Sequence, residues 1–367
     1  MEEASREEKP VLDVKNLAVS FDTYAGEVQA VRGVSWHLNK KETISIVGES
    51  GCGKTVSIQT ILGLNPKGIG RVKSGEILFQ GEDLLKKTPK EMRKLQGNLM
   101  SIIFQDPFTY LNPTMTVGRQ ITEVYRKHNK VSKKDAEKRV IEMMKLISLP
   151  NPEENMKRYP HQLSGGMRQR IMIAMALICD PRVLFADEPT TALDVTVQAQ
   201  IIELMNELKE KLDTSIVLIT HDMGVVANMA DRIYVMYAGK IVEHGDARAI
   251  FYHPKHPYTM GLLDSVPRLD SRVQGDLHSI PGTPPDLVAP PVGCAFAARC
   301  PYAMNICARR EPEYMDFEEP GHYAACWRNH PACRKAVARQ ESVGKQETGV
   351  KQEKVGKEAQ DICKEDK

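Results

Sequence analysis

An eight-residue stretch, Gly48-Glu-Ser-Gly-Cys-Gly-Lys-Thr55, constrains this chain more than any other part of its sequence. It matches G-x-x-x-x-G-K-[ST] at every position, the signature of a phosphate-binding loop. The flanks supply what such a loop needs. Thr43 to Val47 reads as a short buried strand, and Lys54 to Leu64 places Ile58, Ile61 and Leu62 on one helical face. A strand must end in a turn whose glycines let backbone N–H groups face the phosphates, and the following helix adds the positive end of its dipole. Gly48, Glu49, Ser50, Gly51, Cys52 and Gly53 would form this cradle, Lys54 would reach the β- and γ-phosphates, and the Thr55 hydroxyl would ligate Mg²⁺. A Gly-rich turn matching by chance is the bland alternative, and the strand–loop–helix setting argues against it. Cys52 stands near a helix N-terminus, which can lower a thiol pKa, so it is a candidate reactive thiol; a small residue filling the slot is the plainer reading.

Composition limits the rest. With 367 residues the chain has room for two domains, or for one large α/β domain with an appendix. Hydrophobic content of 41% with 27% charged residues is ordinary for a globular protein. A formal net charge of +2 gives no bulk attraction to nucleic acid, so no nucleic-acid partner is expected. Met1 to Pro10 is Glu-rich with no apolar core, unlike a signal peptide. The longest apolar run, Ile171 to Cys179, is about half of what a membrane-spanning helix needs. A cytoplasmic setting is therefore expected, where the eight cysteines are reduced, catalytic or metal-bound rather than paired.

Val11 to Phe21 alternates apolar and polar residues, breaks at Asp22 to Gly26, and is followed by a second alternating run, Val28 to Leu38: a hairpin ahead of the loop strand. Glu76 to Gln80 and Met100 to Phe104 read as further strands. Ser132 then heads a helix with Ala136, Val140, Met143, Met144 and Ile147 at helical spacing. Strands at Val183 to Ala186 and Ser215 to Thr220, separated by a helical run Val195 to Leu212, imply a parallel sheet with crossovers. Ile233 to Met236 and Lys240 to Glu243 form another hairpin signal.

Two further stretches carry chemistry. Val183-Leu-Phe-Ala-Asp-Glu188 ends an apolar strand in two acids. In a parallel sheet that end lies beside the phosphate loop, so Asp187 would hold Mg²⁺ and Glu188 would act on an attacking water; an acidic surface turn is the alternative. Leu163-Ser-Gly-Gly-Met-Arg-Gln-Arg170 is a second Gly-rich element, with Ser164 as N-cap and Gly165 and Gly166 exposing N–H groups at the start of a helix running to Ile178. One nucleotide has little use for two such elements. The second is expected to contact the γ-phosphate held by another subunit.

In their order along the chain, the phosphate loop, Gln105 after an apolar strand, Leu163-Ser-Gly-Gly166, Asp187-Glu188, Ala192-Leu-Asp194 and His221 after Leu218-Ile-Thr220 resemble the ATPase domains of ABC transporters. The resemblance covers about Val11 to Gly245. It implies an α/β P-loop NTPase fold of the ABC type over residues 11–250, with a parallel sheet core, an N-terminal antiparallel β subdomain and a helical subdomain at about 106–165. It also implies that Gln105 senses Mg²⁺ and the attacking water while linking to the membrane partner. His221 would contact the γ-phosphate, and Asp194 would act across the interface between two subunits. Phe21 takes the place of the aromatic that stacks on adenine; Tyr24 aligns less well, and core packing is the plain alternative. Met167 replaces the Gln of many ABC proteins, at a position where backbone N–H groups and Ser164 do the phosphate work.

Beyond Phe251 the composition changes to a Pro- and Cys-containing, loop-rich appendix. His256-Pro-Tyr-Thr259, Ile280-Pro-Gly-Thr-Pro-Pro285 and the cysteines after Gly293 resemble the C-terminal extension of oligopeptide and dipeptide import ATPases, expected over 251–335. Cys294, Cys300, Cys307 and Cys326 are separated by five, six and eighteen residues, unlike the Cys-x-x-Cys of a zinc ribbon. Four thiolates can hold an iron–sulfur cluster, and the resemblance implies a [4Fe–4S] cluster here. Metal-free structural cysteines and zinc are the alternatives, and Cys333 is a candidate in place of Cys326. From about Val337 the chain is rich in Lys, Glu and Gln, so 336–367 is expected to be a disordered or solvated tail.

The expected function is the ATP-hydrolysing subunit of an importer for di- or oligopeptides, peripheral on the cytoplasmic face of the cell membrane, with ATP and Mg²⁺ as cofactors. Its expected partners are a second ATPase subunit, two permease subunits and, indirectly, an extracytoplasmic peptide-binding protein. The rival readings are an importer ATPase for nickel or another small solute, a soluble ABC ATPase of translation or DNA repair, and a redox-sensing module centred on the extension.

Overall fold

The computed structural model describes residues 9–66, 68–191, 193–265, 280–317, 319 and 321–333, and of residues 107 and 108 the backbone alone. The expectations for the segment before Lys9, for Ala192 and for the tail 336–367 lie outside the described residues.

The chain opens with β1 (Leu12–Thr23), β2 (Gly26–Leu38), β3 (Thr43–Val47), α1 (Lys54–Ile61), β4 (Gly70–Phe79), β5 (Glu82–Asp83), α2 (Pro89–Leu95) and β6 (Met100–Ile103). A helical stretch follows: α3 (Pro107–Tyr110), α4 (Val117–His128), α5 (Lys133–Leu146), α6 (Pro152–Asn155) and α7 (Gly165–Leu177). Strand and helix then alternate through β7 (Val183–Asp187), α8 (Val195–Leu212), β8 (Ser215–Thr220), α9 (Met223–Met229), β9 (Arg232–Tyr237) and β10 (Lys240–Asp246). The remainder holds α10 (Ala247–Tyr252), α11 (Pro257–Asp264), α12 (Asn305–Arg309), β11 (Tyr314–Asp316) and β12 (Tyr323–Ala325).

These strands form two sheets, a four-stranded one in the order β2-β1-β4-β5 and an eight-stranded one in the order β11-β12-β10-β9-β3-β8-β7-β6. The small sheet is antiparallel, with β1 paired to β2 and β4. In the large sheet, β3 pairs in parallel with β8 and β9, β8 with β7, and β7 with β6. Parallel strands are buried on both faces and so read as unbroken apolar runs, as β3, β7 and β8 do. Three apolar clusters fill the layers. Leu12, Trp36, Leu38, Ile44, Ile58 and Ile61 lie between the small sheet and the main one. Val117, Ile121, Val140, Met143, Ile171 and Leu218 join the helical stretch to the main sheet. Val235, Tyr237, Ile250, Tyr258 and Phe296 form the third.

That third cluster changes the reading of the appendix. The β11–β12 hairpin continues the main sheet, with β12 on β10 through Glu243↔Ala324 and His244↔Tyr323. An open β10 edge would expose unpaired backbone groups, and the hairpin covers it. The Pro-rich composition conceals this, because the two strands are only three residues each. Among the described residues, no helix is long and apolar enough to cross a membrane.

Candidate nucleotide site

The parallel register brings four strand ends to one edge. Val47 is level with Thr220, Asp187 with Ile219, and Ile103 with Ala186. The loops that leave β3, β6, β7 and β8 carry Gly48 to Thr55, Gln105, Glu188 and His221, so these groups converge at the carboxyl ends of the strands, where open α/β sheets bind ligands.

Two glycines of the loop are required by their surroundings. Gly48 has φ 153° and a Cβ there would stand 2.1 Å from the Met236 carbonyl oxygen; Gly53 has φ 103° and a Cβ would stand 2.3 Å from that of Ala30. Gly53 is also the N-cap of α1, so the loop runs directly into the helix N-terminus. Lys54 is 6% exposed, and its Nζ donates to the carbonyls of Gly48 at 2.6 Å and Glu49 at 2.9 Å, which ties the loop around the ammonium group.

The Thr55 hydroxyl donates to Asp187 Oδ1 at 3.0 Å, so two hard oxygen donors stand together, as a Mg²⁺ ion requires. Burial holds the Asp187 carboxyl above the ordinary aspartate range, with the Thr55 bond opposing and the neighbouring Glu188 adding to it. Glu188 accepts from Gln105 Nε2 at 3.0 Å and from the Thr191 hydroxyl at 2.9 Å, both on Oε2, while His221 Nδ1 lies 3.1 Å from Oε1. Glu188 has φ 48°, a left-handed backbone that is costly for a residue with a Cβ and is often found where a side chain must be aimed. The cleft in front of these groups measures about 570 Å³ and is lined by Glu49, Ser50, Lys54, Thr55, Gln105 and Glu188 among others, within the usual range for small-molecule sites.

Other expected residues lie apart from this cleft. Ser164 caps α7, accepting from the Met167 N–H at 3.3 Å, and Asp194 caps α8, accepting from the Val197 N–H at 3.0 Å. A Cβ on Gly166 would lie 2.9 Å from Val197 Cγ1, so this glycine lets the first turns of α7 and α8 meet, whereas a Cβ on Gly165 would meet nothing. Phe21 lies within β1, level with Val28 and Gly70, and packs against the core beneath the small sheet; it is not among the residues lining the cleft. Tyr24, at the β1–β2 turn, is fully exposed. Cys52 corrects an expectation: it is 5% exposed, and burial raises its thiol pKa instead of the helix N-terminus lowering it. Thr191 escaped the sequence reading; its place three residues after Glu188 is the signal that was available.

Cys294, Cys300, Cys307 and Cys326 line one small cavity together with His256, Phe296, Tyr302, Trp327 and Arg328. Backbone N–H groups of Phe296 and Ala297 face the Cys294 thiol, that of Tyr302 faces Cys300 and that of Arg328 faces Cys326. Burial, with the neighbouring thiols, pushes Cys294 and Cys300 up to about 11 and Cys326 to about 12. Among the described residues, no group of three or more Cys, His, Asp or Glu side chains stands in an arrangement that could hold a metal ion. The cavity brings the thiols to one place without closing them on a common centre.

Two family models match the chain: ABC transporter over residues 31–191, and the oligopeptide/dipeptide transporter C-terminal region over residues 242–307. The oligopeptide transport ATP-binding protein OppD of Bacillus subtilis is 57% identical over 88% of this chain and 89% of its own length. The dipeptide transport ATP-binding protein DppD of the same organism is 57% identical over 89% of this chain and 97% of its own. The chain belongs to the ABC transporter ATP-binding proteins. Among solved structures, the dimeric post-hydrolysis state of the ATP-binding cassette MJ0796 bound to ADP and Pi matches this ABC ATPase with a TM-score of 0.58 and 26% identity, over 65% of this chain and 99% of the other.

Proposed function

We propose that this ABC ATPase binds ATP at Gly48–Thr55 and hydrolyses it to drive uptake of di- or oligopeptides through two permease subunits. The observation that carries the reading is the Glu188 carboxylate, held by Gln105, Thr191 and His221 beside the Thr55–Asp187 pair. The peptide cargo rests on the match to the oligopeptide/dipeptide C-terminal region and on the names of the relatives.

In this reading the loop N–H groups of residues 49–53 and Lys54 bind the phosphates, while Thr55, Asp187 and Gln105 hold Mg²⁺, which when bound neutralises phosphate charge. Glu188 orients the attacking water and takes its proton, with its carboxylate fixed by two hydrogen-bond donors. His221 contacts the γ-phosphate. Phosphoryl transfer of this loose kind leaves the protein mainly positioning and charge stabilisation. Phe21 is assigned to adenine. Ser164, Gly165, Gly166 and Asp194, which stand on the surface away from the cleft, complete the site of a second ATPase subunit across an interface. The ATPase body spans 11–250, with its helical part at 106–165, and the extension spans 251–335. The protein works at the cytoplasmic face of the membrane, supplied indirectly by an extracytoplasmic peptide-binding protein.

The assignment of Cys294, Cys300, Cys307 and Cys326 to a [4Fe–4S] cluster rests on the family resemblance and on the cavity they share; as placed, the side chains do not stand around a common centre. If bound there, such a cluster would supply one-electron chemistry or a structural staple; the chain's own part is to gather the four thiols at one cavity.

Glu188→Gln tests the hydrolytic role. The variant binds ATP and associates with its partner ATPase subunit, but its steady-state phosphate release falls by about 10²-fold or more. Phosphate release at the parent rate removes Glu188 from the chemistry.

A further inference from the structure

The extension grips the phosphate loop at Glu49. Both Nη atoms of Arg299 donate to the Glu49 carboxylate, at 2.6 and 2.9 Å, across 250 residues of chain, and the Glu49 N–H donates to the Tyr258 hydroxyl at 2.7 Å. The Arg299 side chain is 5% exposed and that of Glu49 27%. The guanidinium is aimed by other bonds: Nε donates to the Pro281 carbonyl at 2.9 Å, Nη2 to the Ile280 carbonyl at 3.1 Å and Nη1 to the Tyr237 hydroxyl at 3.2 Å. Its backbone belongs to the turn that carries two of the thiols, with the Arg299 N–H on the Phe296 carbonyl and the Cys300 N–H on that of Ala297.

Glu49 lines the same cleft as Lys54 and Thr55. An unpaired carboxylate there would meet the phosphates of a nucleotide, and in a partly buried site like charges repel more strongly than in water. An arginine fork cancels that charge and fixes the carboxylate in one geometry. We propose that Arg299 is a positioning residue of the ATP site: it neutralises Glu49 and holds the first turn of the loop, so that docking of the extension sets the affinity for ATP. The inference rests on the reading that this cleft binds ATP.

The test is the equilibrium binding of a fluorescent ATP analogue to the full chain, with kcat measured at saturating ATP in the assembled transporter. Arg299→Ala weakens binding about tenfold while kcat stays within about twofold, and Arg299→Lys, which keeps the charge without the fork, gives a smaller loss. Adding Glu49→Gln to Arg299→Ala restores affinity to within about threefold of the parent, because the charge that Arg299 cancels is gone. Loss of packing alone would not be repaired by a neutral residue at position 49. Parent affinity in Arg299→Ala, or no recovery in the double variant, overturns the proposal. If Arg299→Ala does not fold, Arg299→Lys with and without Glu49→Gln gives the same comparison, and equal affinity in parent and Arg299→Lys overturns it. If the parent chain binds no ATP analogue, the reading of the cleft fails instead.

Discussion

Acid should loosen the joint between the extension and the ATPase body, and His256 gives that effect a magnitude. His256 is 1% exposed and caps α11, its Nδ1 accepting the Tyr258 N–H at 3.1 Å. The neutral ring therefore carries its proton on Nε2, and protonating Nδ1 would break the cap and bury a cation. Burial lowers its pKa to about 4, against the opposing pull of Glu243. In the unfolded chain a histidine takes up its proton near pH 6.5. Between those values the unfolded state binds more protons, so stability is full at neutral pH and falls as pH falls through the window from about 6.5 to about 4. At pH 5 this amounts to about 2 kcal/mol for one such group. His244, also held at about 4 chiefly by burial, has the same sign and similar size. His256→Asn keeps a cap acceptor and removes the titration. Urea unfolding followed by tryptophan fluorescence at pH 7 and pH 5 should show the pH-dependent loss shrinking by about 2 kcal/mol in the variant, whatever its stability at pH 7. An unchanged loss would refute the assignment of a buried neutral His256.

Gly53→Ala should abolish binding of a fluorescent ATP analogue, since its Cβ meets the Ala30 carbonyl at 2.3 Å and its φ is 103°; binding within about threefold of the parent would contradict the loop geometry. The buried thiol of Cys52 should react with iodoacetamide at pH 7 at least about tenfold more slowly than a free cysteine, read by mass spectrometry of tryptic peptides; early labelling of Cys52 would contradict its burial. Protein purified without oxygen should yield four iron and four sulfide per chain, and Cys300→Ser should lose them. An iron-free parent chain would end the cluster assignment.

Much of the site was legible because phosphate chemistry restricts residue choice over short spans. Gly48 to Thr55, Asp187-Glu188 and Ser164 each form a local pattern, and the buried strands beside them read as unbroken apolar runs. Contacts made across the chain were not legible. Arg299 and Glu49 are 250 residues apart, and nothing near either one announces the other. The hairpin of β11 and β12 was hidden for a different reason: strands of three residues are too short to show a period, and their partner β10 was itself read as the end of the ATPase body. Cys52 shows the limit of a local rule. A helix N-terminus favours a thiolate, but the tight packing of the loop under Met236 and beside Tyr258 makes desolvation the larger effect.

The most direct test of the account is uptake of a radiolabelled peptide by cells that carry this ATPase with the permeases and peptide-binding protein proposed for it, comparing the parent with Glu188→Gln at equal expression. The account predicts saturable, ATP-dependent uptake in the parent and uptake near background in the variant. Peptide uptake that proceeds equally with either protein would contradict it.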